Sequence, residues 1–170
     1  DIPRDYNAAH DLIERNRVAG RAGKIAYIDD AGTYTYGELS ERVNRCANAL
    51  TALGIAPEQR VLLCHLDGID FPAAFLGAIK AGIVPIAANT LLTTNDYDYM
   101  LRDSRARALI VSAALLPAFA PLLGRHPLVL SGGHRCGRNR ELLRTGRRLR
   151  LGGGGEPTLG DDATAQDDRG

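Results

Sequence analysis

The sequence predicts an α/β fold in which helices flank a doubly wound parallel sheet. Three observations carry that expectation. Apolar runs at 60–66, 83–88 and 108–112 alternate with segments whose apolar residues recur at spacings of three and four. The connections are short, and an order of strand, helix, strand, helix, strand joins parallel strands by right-handed crossovers. The runs also lack the apolar/polar alternation of a sheet with one wet face, so the strands at 60–66 and 83–88 are expected to be covered on both sides.

Taken in order, Asn7 can cap a first helix through Leu12, Ile13 and Val18, with Gly20 and Gly23 ending it. Residues 24–29 and 33–36 favour extended structure and are separated by Asp29, Asp30, Ala31 and Gly32, the pattern of a hairpin. From Glu38 onward, Leu39, Val43, Cys46, Ala47, Leu50 and Leu53 share one helical face, and Gly54 stands where the helix should stop. The strand at 60–66 lies between Pro57 and the turn residues Asp67 and Gly68. A second helix carries Phe71, Ala74, Phe75, Ala78 and Ile79, while Ala73, Gly77 and Ala81 are small enough for close packing and Gly82 ends it. Next come a strand at 83–88, an amphipathic helix at 94–102 with Tyr97, Met100 and Leu101, and a strand at 108–112.

The chain has 170 residues, 45% hydrophobic and 24% charged, enough for one domain or one domain and a tail. Its net charge of +1 favours neither nucleic acid nor an anionic membrane as a partner. No apolar run approaches the roughly 18 to 20 residues that span a bilayer, and no basic-then-apolar signal pattern opens the chain, so a cytoplasmic protein is expected. Cys46, Cys64 and Cys136 are widely spaced without a CxxC pair, as reduced buried thiols would be. Because Asp1 is not a methionine, the numbering is expected to begin inside a longer chain.

Composition changes after residue 124. Residues 1–124 hold every Tyr, Phe, Lys and Met and are expected to form the folded α/β subdomain. Residues 125–170 have no aromatic residue, Ile, Lys or Met, but nine arginines and ten glycines, and are expected to be a tail of low order. Two accounts fit that tail: a natural linker, or translation out of frame from GC-rich DNA. Residues 141–145 could still add a helical turn.

The search for chemistry yields little. A dinucleotide fingerprint is absent, and the turn Asp67-Gly68-Ile69-Asp70 presents carboxylates that would repel phosphate. The stretch 152–155 is four glycines without a phosphate-binding lysine, as in a spacer, and Ser131-Gly132-Gly133-His134 is no better as a phosphate loop. His10, His65, His126 and His134 lack metal-ligand spacing, and no nucleophile elbow occurs. Catalytic and metal-binding residues are therefore expected to be absent from this chain. His65 reads as a core histidine bonded locally. Arg102, Arg105 and Arg107 form a basic patch that suits either a solvated helix end or contacts to a ligand phosphate. Ligands of open parallel sheets collect beyond the carboxyl ends of the strands, which makes Asn89 and Thr90 the candidate cofactor contacts. Their alternative role is a helix-capping turn before Asp96.

Two stretches are recognisable. Thr35-Tyr36-Gly37-Glu38-Leu39 resembles the first core motif of the adenylate-forming (acyl/aryl-CoA synthetase) superfamily, and Ile79-Lys80-Ala81-Gly82-Ile83-Val84-Pro85-Ile86 resembles the second. With the intervening Pro57-Glu58-Gln59-Arg60-Val61 and the following Asn89-Thr90-Leu91-Leu92-Thr93, the match is strong. Through Asp96, Tyr97, Tyr99, Met100, Leu101 and Ser104 it is particularly similar to the N-terminal part of bacterial benzoate-CoA ligases.

The resemblance implies an N-terminal fragment of an AMP-forming ligase. Its parent would convert benzoate or a related aromatic carboxylate, with ATP, Mg²⁺ and CoA, to acyl-CoA, AMP and pyrophosphate. Both matched motifs are largely structural in that family, so they bring no catalytic role to this chain. The family's phosphate loop, acidic ATP-binding motifs, acid pocket and C-terminal lysine would follow residue 170. The fragment alone is thus expected to be inactive, to bind none of these cofactors well, and to be able to self-associate through surface left exposed. The other reading is a non-catalytic α/β binding or interaction module.

Overall fold

A computed structural model describes residues 2–126, and the backbone alone of 128–132 and 142–144. Helix α1 (Ala8–Val18) begins where the Asn7 side chain accepts the His10 N–H at 3.0 Å. The same side chain donates to the Ile79 carbonyl at 2.8 Å, fastening the start of α1 to the last turn of the helix at Asp70–Lys80. Strands β1 (Ile25–Asp29) and β2 (Gly32–Thr35) form the expected antiparallel hairpin. Helix α2 (Tyr36–Ala52) opens with a capping box: Thr35 Oγ1 accepts the Glu38 N–H at 3.2 Å, and the Glu38 carboxylate accepts the Thr35 N–H at 2.8 Å. Its predicted face is buried at Leu39, Val43, Cys46, Ala47 and Leu50, and Gly54 follows it at φ +77°.

The main layer runs β3 (Arg60–Cys64), α3 (Asp70–Lys80), β4 (Val84–Ala87), α4 (Thr94–Asp103) and β5 (Ala108–Ser112). A short helix α5 (Leu116–Phe119), strand β6 (Leu128–Gly132) and strand β7 (Leu142–Arg144) follow. The sheet order is β4-β3-β5-β6-β7, parallel from β4 to β6 and antiparallel at β7. Strand β3 therefore has β4 on one side and β5 on the other, so the chain winds both ways from it.

Alternate β3 residues face opposite layers. Val61 and Leu63 pack with Ala74 and Ala78 of α3 and with Cys46 and Leu50 of α2. Leu62 and Cys64 pack with Tyr97 and Leu101 of α4 and with Phe119 of α5. The doubly wound α/β sheet expected from the sequence is present. Each fully buried leucine on β3 contributes about 1.5–3 kcal/mol by leaving water.

Three expectations need correction. The strand expected at 60–66 ends at Cys64, and Leu66 is exposed, its N–H donating to Ser112 Oγ in place of a ladder carbonyl. The strand expected to be buried at 83–88 is instead the sheet edge, with Val84 46% exposed. An edge suits Pro85, which has no N–H to give to a further strand. The helical turn considered at 141–145 is a strand at 142–144, whose backbone pairs with β6.

Strand β6 adds to β5 beyond the compositional change at residue 124. The remaining tail, including Cys136, His134 and the glycines at 152–155, lies outside the described residues.

Candidate functional site

The two-way winding from β3 makes the carboxyl ends of β3 and β5 the topological switch point, the position at which open α/β sheets bind ligands. That edge of the sheet is made by residues 65–69 after β3, Ser112 at the end of β5 and, on the other side of β3, residues 88–93 after β4. His65 is 9% exposed, and its Nδ1 lies 3.2 Å from Ser112 Oγ. Ser112 Oγ also accepts the Leu66 N–H at 3.0 Å, so one hydroxyl joins the ends of β3 and β5. Burial lowers the pKa of His65 from the ordinary 6.5, against the opposing pull of Asp70. The imidazole is thus favoured in its neutral form.

The expected local bond of His65 is a long-range one. Ser112 is 47 residues away, and Nε2 of His65 has no hydrogen-bond partner. Sequence spacing carries no sign of that pairing. Only the shared position at the tips of adjacent parallel strands could have suggested it.

The connection after β3 is tied from below by Asp29. Its carboxylate accepts the Ile69 N–H at 2.8 Å, the Ala31 N–H at 2.9 Å and the Gly32 N–H at 3.0 Å. The Ile69 bond is the first cause of its depressed pKa, opposed by desolvation and aided by the bonds from Ala31 and Gly32 and by the Arg42 charge. One side chain thereby joins the hairpin to the β3–α3 connection. Asp70 is approached by Arg42 at 3.6 Å, and Arg42 also lies 5.0 Å from the Tyr34 ring centre.

Asn89 and Thr90 do stand at the carboxyl end of β4, Asn89 exposed and Thr90 half-buried. Asn89 Oδ1 accepts the Leu91 N–H at 2.9 Å, and its carbonyl accepts the Tyr97 hydroxyl at 2.9 Å. The cap before Asp96 is not theirs. Thr93 and Asp96 form it, with Thr93 N–H donating to Asp96 at 2.9 Å and Asp96 N–H to Thr93 Oγ1 at 3.4 Å. Thr94 Oγ1 further donates to the Ala118 carbonyl at 2.8 Å. The loop is consequently held at both ends.

All three arginines of the basic patch are exposed. Arg102 pairs with Asp98 at 3.2 Å, and Arg105 adopts φ +54°. A pairing not anticipated from the sequence lies nearby: His126, 9% exposed, meets Asp98 through Nε2 at 3.1 Å. That bond is the first cause of the lowered Asp98 pKa.

The carboxylates at this edge do not suit a triphosphate. Asp67 and Asp70 flank the β3–α3 turn where a phosphate-binding sheet would present bare amides. Among the described residues, no group of three or more His, Cys, Asp or Glu could hold a metal ion, and no helix is long and apolar enough to cross a membrane.

Comparison with known proteins is consistent over most of the chain. A family model for AMP-binding enzymes matches residues 14–142. A benzoate–CoA ligase of Thauera aromatica is 65% identical over 137 residues, covering 78% of this chain and 26% of that protein. A 4-hydroxybenzoate–CoA/benzoate–CoA ligase of Rhodopseudomonas palustris is 49% identical over 114 residues, covering 67% of this chain and 21% of that protein. Among solved structures, a benzoate CoA ligase from Burkholderia xenovorans superposes with a TM-score of 0.71 at 49% identity, covering 77% of this chain and 26% of that one. The chain thus spans about a quarter of the length of the relatives it matches.

Proposed function

Since this chain belongs to the family of AMP-binding enzymes, we propose that it is the N-terminal α/β subdomain of an ATP-dependent, AMP-forming ligase that joins an aromatic carboxylate to CoA. The observation that carries this reading is the 65% identity to the Thauera aromatica benzoate–CoA ligase. Benzoate or a close aryl acid is the substrate class, with acyl-CoA, AMP and pyrophosphate as products.

ATP, Mg²⁺ and CoA belong to the whole ligase in this reading. The described residues supply a scaffold: the sheet, its two helical layers and a carboxyl edge fixed by Asp29 and Ser112. Asn89 and Thr90 remain the weak candidates for a cofactor contact, through groups that the loop leaves free. Adenylation needs charge-neutralising groups around the transferring phosphorus, and these are worth orders of magnitude in rate. The 170-residue chain alone is therefore inactive as a ligase. ATP and CoA are intracellular reactants, so a cytoplasmic location goes with the proposal. Self-association of the isolated chain through surface that faces the rest of the ligase belongs to the same reading.

The test is pyrophosphate release from ATP with Mg²⁺ and benzoate. The chain alone should match a control without enzyme. Turnover clearly above that control would contradict the assignment of a scaffolding role.

A further inference from the structure

We draw no further inference here: the strongest candidate, the apolar surface patch at Ile25 and Ile28 on strand β1 of the hairpin, is left exposed, and nothing in the structure shows what covers it.

Discussion

Gly77 of α3 meets Cys46 of α2 so closely that a β-carbon at position 77 would lie 2.7 Å from Cys46 Cβ and 3.0 Å from the Val43 carbonyl oxygen. Both neighbours are fixed, one at the root of a buried side chain and the other in helix backbone. Gly77→Ala should therefore force α2 and α3 apart and destabilise the chain by about 1–3 kcal/mol, the usual cost of overpacking. Chemical unfolding of the variant checks this. The glycine-to-alanine change would otherwise favour a helix interior, so a stabilised variant would contradict the packing described.

The Ser112–His65 pair gives a second prediction. Ser112→Ala removes the acceptor for the Leu66 N–H and the partner of His65 Nδ1, and should cost about 1–3 kcal/mol. The pH dependence has a definite sign. Burial holds the folded-state pKa of His65 below 6.5, so the unfolded chain binds the proton first as pH falls. The associated stability is present above 6.5, declines below it and levels off beneath the folded-state value. His65→Gln should flatten the urea midpoint in that window.

A third prediction separates the two roles in the β4–α4 loop. Thr93→Ala breaks the capping box with Asp96 and should cost about 1 kcal/mol. Asn89→Ala leaves that cap intact and should free the Leu91 N–H, seen as faster amide exchange at Leu91.

Much of the scaffold is legible in the sequence because local rules coincide with the packing. Leu39, Val43, Cys46 and Leu50 recur at helical spacing and are the residues that α2 buries. Asn7, Gly54 and Gly82 punctuate helices where their cap chemistry says they should. Strand β4 misled because continuous apolar runs do not distinguish an edge from a centre, although Pro85 was the available clue. Thr93 and Asp96 had legible capping-box spacing, whereas Asn89 and Thr90 drew attention by their place after a strand. The His65–Ser112 and His126–Asp98 pairs span 47 and 28 residues, so only the folded sheet brings them together. The chemistry was legible as a resemblance between motifs, since scaffold residues carry the family pattern while the described site carries no reactive constellation.

Asp29 supplies a fourth prediction at acid pH. Its folded-state pKa lies below the ordinary 3.8, chiefly through the Ile69 N–H, so its stabilisation is present above that value. It is lost as pH falls through the folded-state pKa, because the unfolded carboxylate protonates first. Asp29→Asn should reduce the acid slope, and Asp29→Ala should speed amide exchange at Ile69 and Gly32 near neutral pH.

The most direct measurement replaces the matching segment of the Thauera aromatica benzoate–CoA ligase with residues 14–124 of this chain and assays benzoyl-CoA formation. If these residues are an aryl-CoA ligase scaffold, the folded chimera should form benzoyl-CoA only when ATP, CoA and benzoate are all supplied. A soluble, cooperatively folded chimera that forms none would contradict the account.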